Sequence, residues 1–268
     1  MGLFKSKNKK KRTSFTADIF QRTLHKNLEF TATEQYKLLR TNLEFTVPEG
    51  TKCPVIGVTS SMRGEGKSTT AVNLSYVLAE KGSRVLLIDG DLRIPSVAKK
   101  MEIQSTPGLT DYLMAKDSQD IEAFKSPLLE NWYIMPSGEI PPNPSELLGS
   151  KRMEATLETL RNEFDYIVID LPPVNIVSDA LSIASLITGM IVVIREEYTE
   201  KKELEHCFRQ LRLSNVHVLG CVMNEAKTGN GSYNRYKRYR YYRYYRYYYK
   251  NDYYYYQSGS KSTEDKKK

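Results

Sequence analysis

The chain runs VIGVTSSMRGEGKSTT from Val55 to Thr70, and from Lys67 onward the apolar residues recur with helical spacing. An apolar, β-branched run that passes through a glycine-rich turn straight into a helix leaves few folds open. Such a turn has to lie at the carboxyl end of a covered strand. Gly64 and Gly66 let the backbone come close to anionic oxygens, and the amides that open the helix point the same way. The segment therefore reads as a phosphate-binding loop made of Gly64, Glu65, Gly66, Lys67, Ser68 and Thr69. Lys67 is expected at the β and γ phosphates of a nucleoside triphosphate, and Ser68 on Mg²⁺. Ser61 stands where the common GxxxxGKS pattern has its first glycine.

Around this loop, apolar β-rich runs alternate with helical patterns. Strands are expected at Val55 to Thr59, Arg84 to Ile88, Trp132 to Met135, Tyr166 to Ile169, Met190 to Ile194 and Val216 to Met223. Helices are expected at Lys67 to Lys81, Glu146 to Asn162 and Lys201 to Leu213. The runs VIGVTS, VLLID, YIVID and IVVI are almost wholly apolar, as strands covered on both faces require. The fold class is α/β: a P-loop NTPase fold with a mostly parallel, doubly wound sheet flanked by helices. The pattern stops at a linker, TGNGS, near residue 228. The expected division is a basic, flexible leader (1–29), a P-loop domain (30–228) and a disordered tail (229–268).

Two acidic motifs follow strand ends, Asp89 and Asp91 in VLLIDGDLRIPS and Asp170 in YIVIDLPP. Carboxylates at the carboxyl ends of parallel strands face the ligand edge of an open sheet. Asp170 and Asp91 are expected to support Mg²⁺, and Asp89 to accept a proton from an attacking hydroxyl. Helix capping or turn chemistry by these short acids is the structural alternative. Arg93 and Arg195 either approach phosphate or pair with acids.

Beyond the linker, fourteen of the twenty tyrosines crowd together: Tyr233, Tyr236, Tyr239, Tyr241, Tyr242, Tyr244, Tyr245, Tyr247, Tyr248, Tyr249, Tyr253, Tyr254, Tyr255 and Tyr256. Interleaved tyrosine and arginine would also suit single-stranded nucleic acid through stacking and charge. Behind a nucleotide site on the same chain, the phenols read instead as phosphoryl acceptors. Seven basic residues against Asp252 give this stretch a charge of +6. Each phosphate would add about −1.5 to −2, so the charge is neutralised after about three or four.

The net charge of +8 is otherwise concentrated at the other end, where Lys5, Lys7, Lys9, Lys10, Lys11 and Arg12 read as a solvated leader. Cys53, Cys207 and Cys221 show no CxxC spacing, so neither a disulfide framework nor a zinc site is expected, and the compartment reads as a reducing cytoplasm. No apolar run reaches the roughly 18 to 20 residues of a spanning helix. Nor does an apolar segment follow the basic start, as a secretory signal would need.

SSMRGEGKST, VLLIDGDLRIPS, YIVIDLPP and the tyrosine cluster together resemble the bacterial tyrosine kinases of capsule and exopolysaccharide operons, the type separate from its membrane adaptor. The resemblance implies ATP and Mg²⁺ as ligands, Lys67, Asp89 and Asp91 as catalytic, and autophosphorylation of the tail in trans. It also implies a transmembrane polysaccharide co-polymerase adaptor that recruits the chain to the inner face of the cell membrane, a cognate tyrosine phosphatase, and no specific nucleic acid. By analogy with related ATPases, Asn224 is expected to contact adenine. Glu34, Lys37 and Arg40 in EQYKLLRTN share one helix face and match the family's ring-forming ExxRxxR motif, with Lys37 in place of the first arginine. Two other classes stay open. A partitioning or division-site ATPase would carry an extra lysine where this loop has Met62, and a nucleic-acid module would bind RNA without Lys67.

Overall fold

The computed structural model describes residues 28, 30–114 and 120–226. The expected leader and tyrosine tail lie outside the described residues, residue 28 excepted. Six strands form one sheet: β1 (Val55–Ser60), β2 (Val85–Asp89), β3 (Trp132–Met135), β4 (Tyr166–Asp170), β5 (Gly189–Arg195) and β6 (Val218–Asn224). Their order is β3-β2-β4-β1-β5-β6, and every neighbouring pair is parallel. Each expected strand is present within one or two residues.

Helices cover both faces, which is why β1, β2 and β3 are buried at every position. On one face lie α1 (Phe30–Thr46) and α2 (Lys67–Glu80), packed on Ile56, Val58, Leu87 and Trp132. Trp132 is fully buried, stacks edge-on against Tyr76 with ring centroids 5.3 Å apart, and donates its indole N–H to Ser75 Oγ at 3.1 Å. The other face is closed by α4 (Leu109–Met114), α5 (Pro144–Leu148), α6 (Lys151–Leu160), α7 (Asp179–Ser182) and α8 (Lys201–Leu213), over Leu86, Ile88, Ile167 and Val192.

One expected helix, Glu146 to Asn162, is two. Gly149 ends α5, and Ser150 starts α6 by accepting a hydrogen bond from Met153 N at 3.1 Å. The Gly149 N–H bonds back to Ser145 O and Leu147 O, and Ser150 caps the following helix, so the chain breaks there despite continuous apolar spacing. Short α3 (Val97–Met101), which follows the first acidic motif, was not expected at all. Among the described residues no helix is long and apolar enough to cross a membrane.

Candidate active site

β1 passes into α2 through the loop 61–66, and two residues give the loop its shape. Gly64 and Gly66 sit at φ +83° and +97°, in the left-handed region that glycine adopts without Cβ strain. Gly66 immediately precedes α2, whose first residues are Lys67 and Ser68. Its backbone is approached so closely that an added Cβ would lie 2.0 Å from Asn224 Nδ2.

Strand pairing brings the acids together. β2 and β4 are neighbours in parallel register, with Asp89 opposite Asp170 at their carboxyl ends, and β4 also borders β1. Lys67 meets this edge from the start of α2. Its Nζ lies 2.9 Å from Asp91 Oδ2, 3.3 Å from Asp170 Oδ1 and 3.3 Å from Ser68 Oγ. Ser68, Asp91 and Asp170 were expected around a metal ion, and in this structure they converge on an ammonium. Asp170 Oδ2 is buried and has no hydrogen-bond partner.

The electrostatics follow from burial. Asp89 and Asp170 have no solvent exposure and Asp91 has 5 %. Burial raises Asp89 to about 7, the neighbouring Asp170 adding to it while Lys67 and backbone N–H groups oppose it. Burial also raises Asp170 above the usual carboxylate range, against Lys67. Lys67 is held above the usual lysine range because Asp170 and Asp91 outweigh its own desolvation.

Asp89 has a second task that the sequence left as an alternative. Its Oδ2 accepts from Ser96 N (3.0 Å) and Val97 N (2.9 Å), tying down the start of α3, and Oδ1 accepts from Asp91 N at 3.3 Å. The carboxylate therefore shapes the turn that carries Asp91. Since its proton affinity is raised on folding, the sign for stability is negative with rising pH. The contribution is present below pH 4 and is lost as pH rises through about 7, at up to about 1.4 kcal/mol per unit. Denaturation of the nucleotide-free protein between pH 4 and 8 is expected to show a shallower fall in Asp89→Asn than in the parent chain.

Glu65 and Asn224 were expected to touch nucleotide, and both hold the loop itself. Glu65 is fully buried and accepts from Ser61 Oγ (2.8 Å), Met62 N (2.9 Å) and Thr199 Oγ1. Asn224 Nδ2 donates to Glu65 O at 3.0 Å. The end of β5 and the segment after it close round the outside: Tyr198 Oη donates to Arg63 O (3.1 Å) and Arg195 to Gly64 O (3.2 Å), while Arg195 also pairs with Glu225 at 2.7 Å. Tyr198 and Thr199 carry no sequence signal, because their relation to the loop exists only through the β1–β5 pairing. Glu65→Gln keeps the volume but loses charge-assisted bonds. It is expected to lower stability by about 1–3 kcal/mol and to weaken nucleotide binding, as measured by urea titration and calorimetry.

Arg93 is bidentate to the buried Asp179 at 2.8 and 3.0 Å, so it pairs with an acid as one of its two expectations had it. On α1, Glu34 and Lys37 pair at 3.0 Å on the exposed side. Arg40 turns inward and donates to Val77 O at 2.6 Å. The fourteen tail tyrosines lie outside the described residues.

A family profile for the AAA domain matches residues 53–218. Tyrosine-protein kinase YwqD of Bacillus subtilis is 38% identical over 65% of this chain and 73% of its own length. Tyrosine-protein kinase CpsD of Streptococcus pneumoniae serotype 4 is 37% identical over 69% and 81%. Among solved structures, the chimerical protein CapA2B2 superposes with a TM-score of 0.70 at 28% identity, covering 79% of this chain and 91% of that one. A septum site-determining protein, MinD from Pyrococcus horikoshii, reaches a TM-score of 0.54 at 23% identity over 66% of this chain and 72% of that one, a likeness of fold alone. With the P-loop, the two acidic strand ends and these relatives in agreement, the chain belongs to the bacterial tyrosine-protein kinases built on a nucleotide-binding, AAA-type P-loop domain.

Proposed function

We propose that this chain transfers the γ-phosphoryl group of ATP to tyrosine, chiefly to Tyr233–Tyr256 of a neighbouring copy, and thereby regulates capsule or exopolysaccharide synthesis and export. The observation that carries this reading is the meeting of Lys67 with Ser68, Asp91 and Asp170 at the carboxyl edge of the sheet. That edge belongs to a chain whose tail is dense in phenols.

The residues fit Mg²⁺. Two buried carboxylates, Asp91 and Asp170, lie against the Lys67 ammonium, and Asp170 Oδ2 is a buried acceptor without a partner. Among the described residues no three His, Cys, Asp or Glu side chains form a metal site by themselves. That suits an ion which takes one or two carboxylates, waters and substrate phosphates. Ser68, Asp91 and Asp170 would hold it, and when bound it neutralises charge on the β and γ phosphate oxygens. Lys67 then turns from the acids to the phosphates, and the loop amides from Gly64 to Thr69 align the chain of phosphates for in-line attack.

The acceptor's phenolic oxygen bonds to the γ-phosphorus, the bond to the bridging oxygen breaks, and ADP departs. The phenolic proton passes to Asp89, whose Oδ1 holds one long bond and so keeps a free lone pair. In the nucleotide-free protein burial raises the proton affinity of Asp89, the direction a proton acceptor needs. Because Asp89 is fully buried, the turn carrying Asp91 has to open for the phenol to reach it.

A transmembrane adaptor would activate the chain and hold it at the inner membrane face, and a tyrosine phosphatase would reset it. Glu34 and Lys37 are available on α1 for contact with a neighbouring copy in a ring. Arg40 would first have to leave Val77 O.

Intact mass spectrometry after incubation with Mg-ATP and the adaptor's cytoplasmic segment tests the proposal. The expected result is a ladder of added phosphates confined to the tail, with a shift to smaller oligomers as the ladder grows. Steady ATP hydrolysis without any ladder would overturn it in favour of a nucleotide-dependent dimer switch.

A further inference from the structure

The acidic edge and the P-loop account for the Lys67 ammonium, but a second, half-buried cation stands beside them. Lys100 lies on α3, directly after the turn that carries Asp91, and is half-buried. Its Nζ is 3.3 Å from Thr69 Oγ1, on the first turn of α2. Thr69 is a neutral partner. Among the described residues no carboxylate is paired with Lys100, whereas Lys67 has two within 3.3 Å. Burial pulls the Lys100 ammonium below the usual lysine range; Asp170 opposes this, while Lys67 and then Lys99 add to it. Among the described residues this charge has no paired carboxylate, only the more distant Asp170, so a half-buried ammonium held by a neutral hydroxyl is free to take a stronger counter-charge.

Its place in the fold says which end of a nucleotide it would meet. Asn224 is at the carboxyl end of β6, one extreme of the sheet order, and β2 with its following α3 lies on the far side of β4 from β1, β5 and β6. Lys100 thus approaches the P-loop from the side opposite the expected base contact, where the phosphoryl group is transferred.

We infer that Lys100 is a second phosphate-binding cation of this site, engaging the terminal phosphate of a bound nucleoside triphosphate from α3. The inference rests on the nucleotide reading of the P-loop made above. Lysine suits the task, since it is a compact point charge on a flexible stem that can leave Thr69 when a stronger partner arrives. Asp89 then does more than shape a turn: by tying down Ser96 N and Val97 N it sets the helix from which Lys100 reaches across.

The test uses the full chain with Mg²⁺ and compares dissociation constants for ADP and for a non-hydrolysable ATP analogue, in the parent, Lys100→Met and Lys100→Arg. Lys100→Met is expected to weaken the ATP analogue by about tenfold or more, as the loss of a charged hydrogen bond implies, and ADP by less than about twofold. Lys100→Arg is expected to recover most of the difference. The nucleotide-free melting temperature is expected not to fall in Lys100→Met, because a poorly compensated charge has been removed. Equal weakening of both nucleotides, no weakening of either, or a lowered nucleotide-free melting temperature that arginine does not restore would each overturn the inference. Failure of the parent to bind either nucleotide would instead remove the reading on which it rests.

Discussion

Lys67→Met is expected to abolish the phosphate ladder, with a loss of at least about 10³-fold in the rate of tyrosine phosphorylation. Charge stabilisation by one well-placed donor in such a site is worth about 10²–10³-fold, and in the proposed function Lys67 would also help to fix the phosphates. The same substitution has a second, separable effect on stability. Asp91 and Asp170 lose the ammonium that now lies 2.9 and 3.3 Å away, and Asp170 is fully buried. Removing one partner of a buried ion pair costs about 3–5 kcal/mol because the other charge is left without compensation. That cost is expected to shrink on acidification, since burial already raises Asp89 and Asp170 and both take up protons more readily without Lys67. Urea denaturation of the variant at pH 5 and pH 8 reads this directly. A penalty that is equal at the two values would mean that the acids near Lys67 do not titrate with it.

Gly66→Ala is expected to reduce nucleotide affinity by about 100-fold while leaving the sheet intact. Two causes act together. At φ +97° an L-residue is strained by about 1–3 kcal/mol. The new Cβ would also fall 2.0 Å from Asn224 Nδ2 and 2.9 Å from Asn224 Cγ. Asn224 can swing away, but only by giving up its bond to Glu65 O, and Glu65 is the residue that ties the loop to Ser61, Met62 and Thr199. The P-loop would relax where its amides have to point at phosphate. Calorimetric titration with Mg-ADP is the measurement, and Asn224→Ala in the Gly66→Ala background separates the causes. Recovery of affinity in the double variant would assign the loss to the clash, and no recovery would assign it to backbone strain.

The elements that sequence patterns located are those whose signal is local. VIGVTSSMRGEGKSTT marks β1, the loop and α2 within one stretch, and the apolar runs ending in Asp89 and Asp170 mark β2 and β4 to within a residue. Register then follows with little freedom, because both runs must be buried on two faces and both end at the same edge. The break between α5 and α6 shows the limit of periodicity, since Gly149 and Ser150 stop a helix whose apolar spacing continues through them. Contacts within the chain were less legible than positions. Glu65, Asn224 and Arg40 each hold the backbone or side chains of their own domain, and no local pattern announces those partners.

By itself the sequence determined the class of fold, the identity of the phosphate-binding loop and the acids that face it, because strand burial, glycine conformation and helix starts are decided by residues close together along the chain. Only the tertiary structure decided which side chains share those atoms. Lys67 meets Asp170 across 103 positions, Thr199 meets Glu65 across 134 and Asn224 meets it across 159. Such pairings depend on the strand order β3-β2-β4-β1-β5-β6, and no local propensity encodes the distance between residues on strands that are remote in sequence and adjacent in the sheet.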